Sequence, residues 1–87
     1  MMLVVGMLCQ SVYAQADRQL IRSGNRYFRQ QNYAKAETEY RKAVSVNGQN
    51  AQAVYNLGYA LQAQQKDSAA IVQYQNAGKM ETNKMRK

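Results

Sequence analysis

The stretch Gly24–Ala43, GNRYFRQQNYAKAETEYRKA, decides how the whole chain is read. Advanced by 34 residues, its skeleton returns: Gly24 recurs as Gly58, Ala36 as Ala70, Tyr40 as Tyr74 and Ala43 as Ala77, while the large Tyr27 recurs as Leu61. Small residues stay small and large ones stay large at one spacing. An internal period of this length marks stacked helix–turn–helix units, each unable to bury its apolar face alone. The expected fold is all-α, with two antiparallel hairpins stacked as a solenoid fragment. The positions that repeat (Gly24, Tyr27, Ala36, Tyr40, Ala43, Gly58, Leu61, Ala70, Tyr74 and Ala77) are expected to be structural.

Composition agrees with helices. The 87 residues include no proline, no tryptophan and one phenylalanine, while alanine and glutamine are abundant. Alanine and glutamine are good helix formers, and proline is the strongest breaker. Such a length supports at most one small domain with a marginal core. Twelve basic residues against five acidic ones, a formal +7, favour anionic partners or surfaces. With no histidine and a single cysteine, a histidine base, a Cys–His nucleophile, a Cys/His metal site and an internal disulfide are all excluded.

Outward from the opening stretch, residues 17–46 form the first expected hairpin. Asp17 is placed to cap a helix running to about Gln30, with Leu20, Ser23, Gly24 and Tyr27 on one face. The break is expected at Gln30-Gln31-Asn32, with Asn32 capping a second helix through Tyr33, Ala36, Tyr40, Ala43, Val44 and Val46. Gly48 is expected to end that helix in a left-handed conformation. Gly24 opposite Ala36 would let the axes approach closely. The second hairpin, residues 51–79, is capped by Asn50 and turns at Lys66-Asp67-Ser68, with Asp67 as cap and Gly78 loosening or ending the last helix. Met85 would open a third unit by the same count, so the chain reads as a fragment of a longer array. The alternative is a small protein that dimerises through its last helix. The division is 1–14, 15–50, 51–84 and 85–87.

Residues 1–14 form the signal-peptide-like segment. An apolar run from Met1 to Cys9 precedes the small-x-small pattern Val12-Tyr13-Ala14, and cleavage there would leave Gln15 first. Ala14-Gln15-Ala16 offers a second cut. No Lys or Arg precedes the run, so this reading implies basic residues further upstream; a helix packed on the repeats is the alternative. Leu8 stands where lipid attachment at Cys9 needs a small residue. The run is too short to cross a membrane, and none is expected in the mature chain. The expected location is periplasmic or envelope-associated.

The combination Tyr55-Asn56-Leu57-Gly58-Tyr59-Ala60-Leu61, followed by Ala70, Tyr74 and Ala77, resembles the tetratricopeptide repeat (TPR) over about residues 17–84. Ser23 in place of leucine, Asp67 in place of an aromatic, and Gly48 and Thr82 in place of proline depart from its pattern. The resemblance implies a right-handed α-solenoid that binds a protein or peptide along its inner surface, lined by the first helix of each hairpin. The matching positions are Arg18, Ile21, Asn25, Phe28 and Arg29, then Gln52, Tyr55, Asn56, Tyr59 and Gln62. Asn25 and Asn56 match asparagines of the clamp that grips chaperone tails, but Ile21 stands where that clamp needs lysine. Arg22-Ser23-Gly24-Asn25, with Tyr33-Ala34-Lys35-Ala36-Glu37 and Tyr40-Arg41-Lys42-Ala43, is similar to TPR proteins of the Bacteroidetes aerotolerance operon, which also follow a signal sequence. That likeness implies scaffolding in an envelope complex linked to oxidative stress.

No catalytic constellation is present, no cofactor is implied, and the chain is expected not to be an enzyme. Glu37 and Glu39, amid Lys35, Arg41 and Lys42, read as a solvated face of local ion pairs. Arg18, Arg22, Arg26 and Arg29 fall within an arc of about 80° of the first helix. This basic stripe is either a solvated face or a docking site for acidic peptide or anionic envelope surface. Nucleic acid is not expected, since aromatic interleaving is limited to Phe28.

Overall fold

The computed structural model describes residues 2–85, with side chains from Ala16 onward. The helices are α1 (Met2–Arg29), α2 (Tyr33–Val46), α3 (Ala51–Ala63) and α4 (Asp67–Met85). α1 pairs with α2 and α3 with α4, while α2 packs on α3 and joins the hairpins.

The repeat extends to the backbone. α1 ends with Gln31 at φ 61° and α3 ends with Gln65 at φ 63°, each in the left-handed region. The Asn32 N–H donates to Tyr27 O at 2.9 Å and the Gln31 N–H to Phe28 O at 2.9 Å. In the second hairpin the Lys66 N–H donates to Leu61 O at 2.9 Å and the Gln65 N–H to Gln62 O at 2.9 Å. Both turns are therefore Schellman caps, built on glutamine where glycine is usual. After the first, Asn32 caps α2 by accepting from Lys35 N at 3.3 Å. Its equivalent after the second is Lys66, because α4 starts at Asp67 and Asp67 is its first residue, not its cap.

Packing at the hairpin crossings follows one rule. A Cβ built on Gly24 would stand 2.6 Å from Tyr40 Cδ1, and one on Gly58 would stand 2.8 Å from Tyr74 Cδ1. The glycines thus make room for the tyrosine ring of the partner helix, and the nearest side chain to Gly24 is that of Tyr40. Ala36, Tyr40, Leu57, Ala60, Leu61 and Ala70 form the core, with Tyr27, Phe28, Val44 and Tyr74 packed against it. Ala43 and Ala77 are fully buried as well. Burying each larger apolar side chain here contributes about 1.5–3 kcal/mol.

Other local expectations are corrected. Asp17 lies inside α1, because no glycine or proline interrupts the chain between Met7 and Ser23. α2 ends through Asn47, whose extended backbone (φ −145°) stops the helix while its N–H still bonds Ala43 O. Gly48 does not take a positive φ. Gly78 neither loosens nor ends α4, which continues to Met85. Met85 is the last described residue of that helix, and Arg86 and Lys87 lie outside the described residues. Across residues 2–14 the backbone is helical and continuous with the repeats, while the side chains of the signal-like segment lie outside the described ones.

Candidate functional site

The surface shared by α1 and α3 is built on a polar lock. Asn25 Oδ1 accepts from Tyr40 Oη at 2.5 Å and from Asn56 Nδ2 at 3.2 Å. Asn56 Oδ1 accepts in turn from Gln52 Nε2 at 2.9 Å. The lock joins α1, α2 and α3, so it holds the hairpins in register. Asn56 is only 7% exposed and is a packing residue beneath the surface, not a contact on it. Asn25, half-buried, spends its carbonyl in the same way. Phe28 is half-buried and packs edge-on to Tyr33, with centroids 5.0 Å apart.

What remains open on this surface is aromatic and amide. Tyr59 is 49% exposed, and its ring centroid lies 5.7 Å from that of Tyr74. Tyr55 stands 6.5 Å from Tyr74 and donates its hydroxyl to Glu81 Oε2 at 3.3 Å. Tyr74 Oη donates to Gln62 Oε1 at 2.6 Å. The period explains the ledge. Tyr59 occupies the position that Asn25 holds one repeat earlier, so Tyr74 meets a ring where Tyr40 meets an amide. Ile21 is half-buried, and Arg18, Arg29, Gln52 and Gln62 are exposed.

Beside the ledge is a groove of about 440 Å³, flanked by Arg18, Gln49, Gln52, Glu81 and Lys84. Its floor is Asp17, 3% exposed, whose Oδ2 accepts from Asn50 Nδ2 at 2.9 Å and from Asn47 Nδ2 at 3.1 Å. The bond from Asn50 leads in holding this carboxyl below its usual range; burial opposes it, and Asn47 and the Arg18 N–H assist. Asp17 thereby pins α1 to the α2–α3 loop. Glu81 and Lys84 enter the site only because α4 continues past Gly78. The sole sequence signal for them was the uninterrupted helix-forming run after Gly78.

Glu37 also departs from a solvated role. It accepts from Arg41 Nε at 2.8 Å, from Gln64 Nε2 at 2.9 Å and from Lys66 Nζ at 3.2 Å, so it bridges α2 to the α3–α4 turn. Burial pushes its pKa up, but these donors outweigh burial and hold it below the usual range. Glu39 keeps a local pair with Lys42 at 3.9 Å. Arg18, Arg22, Arg26 and Arg29 are all exposed, and none takes part in the ion pairs of the described residues.

Known families bear on this geometry. The TPR repeat model matches residues 24–65, from the glycine under Tyr40 to the left-handed glutamine that ends α3. A search of curated proteins finds no match. The matched residues hold the first crossing, the inter-hairpin lock and the start of the second turn, and the helices around them repeat the same geometry. Residues 24–65 are a tetratricopeptide repeat, and the described helices on either side continue its hairpin pattern.

Proposed function

We propose that this chain is a non-catalytic scaffold that holds an extended segment of a protein partner along the α1–α3 surface. The observation that carries the reading is the Tyr55–Tyr59–Tyr74 ledge beside a groove flanked by Arg18 and Lys84. Tyrosine offers a large, amphipathic contact area with few rotors to immobilise. The partner segment would set an apolar or aromatic side chain on the ledge and a carboxylate between the cations. Gln52 and Gln62 supply amides for its backbone. TPR repeats serve protein–protein binding in general, which supports the same assignment.

The proposed setting is an envelope complex associated with oxidative-stress tolerance. Its support is the apolar segment 1–14 with Val12-Tyr13-Ala14, together with the similarity of Arg22-Ser23-Gly24-Asn25 and Tyr40-Arg41-Lys42-Ala43 to TPR proteins of the aerotolerance operon. A photo-crosslinking residue placed at Tyr59, and separately at the exposed Lys42 of α2, tests the binding surface in cells. Adducts from position 59 and none from 42 are expected. Adducts from 42 alone would contradict the assignment.

A further inference from the structure

α3 meets the first hairpin along a single stripe. Asn56 donates to Asn25 at 3.2 Å, Gln64 donates to Glu37 at 2.9 Å, and Ala60 between them is fully buried. The equivalent stripe of α1, 34 residues earlier, reads Arg22, Arg26 and Gln30, all exposed. Where α3 carries the small side chain that admits a neighbouring helix, α1 carries a guanidinium. Stacking another helix there would bury Arg26 at the Ala60 position, a charge without a partner. That face is suited to a polyanion, not to a further repeat.

The charge is uncompensated locally. Asp17, the carboxylate of α1, is turned to Asn47 and Asn50, while Glu37 and Glu39 on α2 are engaged by Arg41, Lys66 and Lys42. A second observation on the same helix separates a bilayer from other polyanions. α1 is 28 residues long and its hairpin partner α2 only 14, so about half of α1 extends past the hairpin. That half carries MLVVGMLC at Met2–Cys9. No described helix is long and apolar enough to cross a membrane, but a run of this length fits the boundary between headgroups and acyl chains. Nucleic acid or an acidic peptide would satisfy the arginines alone.

We propose that α1, in the chain that keeps residues 1–14 uncut, docks on a bilayer surface rich in anionic lipid, Arg18, Arg22, Arg26 and Arg29 meeting the phosphates and the Met2–Cys9 segment entering the interface. The docking leaves the Tyr59 ledge free and shares only Arg18 with the groove proposed to hold the partner. The test uses the full chain and sedimentation with phosphatidylcholine vesicles, with and without phosphatidylglycerol. Binding to the phosphatidylglycerol vesicles is expected, weakening as salt is raised. Arg→Gln changes at 18, 22, 26 and 29 should each reduce partition roughly fivefold. These side chains are exposed, so circular dichroism should show the variants folded, and the salt titration of the unaltered chain needs no variant. Leu3→Asn with Val5→Asn should weaken binding at fixed salt. Equal partition to neutral vesicles, unchanged binding of the fourfold glutamine variant, or binding to a single-stranded RNA homopolymer without any vesicle binding would each overturn the proposal.

Discussion

Gly24→Ala is the most informative single methyl group to add to this chain. The new Cβ would stand 2.6 Å from Cδ1 and 2.9 Å from Cζ of Tyr40, a ring that is 2% exposed. The ring has nowhere to swing, because Tyr40 Oη is held by Asn25, itself bonded to Asn56. Overpacking of this kind costs about 1–3 kcal/mol. A hydrogen bond lost as the ring shifts would add about 1 kcal/mol. Alanine in place of glycine in a helix returns about 1 kcal/mol. The expected net is a destabilisation of about 1–3 kcal/mol, or roughly 4–8 °C of Tm per kcal/mol in a domain of this size. Gly58→Ala supplies the control. Its Cβ would lie 2.5 Å from Tyr74 Cε1, but Tyr74 is only partly buried and can move toward solvent. Its net effect should fall within about 1 kcal/mol of zero. Thermal and urea unfolding followed by circular dichroism measure both. A Gly24→Ala chain as stable as the original, or a costlier Gly58→Ala, would refute the crossing described above.

Other outcomes follow from the same structure. Gln31→Gly and Gln65→Gly, at φ 61° and 63°, should each raise stability, because a non-glycine residue in this region costs about 1–2 kcal/mol and glycine's extra freedom when unfolded cancels only part of that; a lower urea midpoint for both would be the contrary result. Asn56→Ala should cost about 1–3 kcal/mol, by leaving Asn25 and Gln52 short of a partner in the lock; chemical denaturation reads this directly. Asp17 and Glu37 both have folded pKa values below their ordinary ones, so the stability they contribute is complete above the unfolded values near pH 4 and is lost as pH falls through the folded values. Urea midpoints taken on the acid side should therefore drop for the original chain and drop less steeply for Asp17→Asn.

The period read from Gly24, Tyr40, Gly58 and Tyr74 was legible because helix crossings demand size, and size survives in sequence as a spacing. The cap at Asn32 was legible for a similar local reason. What escaped the sequence was set by partners far along the chain. Asp17 looks like a helix cap until the α2–α3 loop folds over it, 30 and 33 residues away. Glu37 looks solvated until Gln64 and Lys66 arrive from the next turn. The left-handed positions fell on glutamines, which carry no signature of positive φ, while Gly48, which does, went unused. Asn25 is the clearest case. Its chemistry suits a surface contact, and only the geometry shows that its carbonyl is spent on Tyr40 and Asn56. Ile71 on α4 is 53% exposed at the position that Glu37 holds one repeat earlier, where Glu37 meets Gln64 and Lys66 of the next turn.

The central claim is that the repeated residues hold the fold while the residues between them bind. The direct measurement is the affinity of the partner captured from position 59 for the Tyr59→Ala chain, with melting recorded on the same samples. The account predicts an unchanged Tm and at least about tenfold weaker binding, as expected for an aromatic contact at the heart of an interface. Unchanged affinity in a chain that melts normally would contradict it.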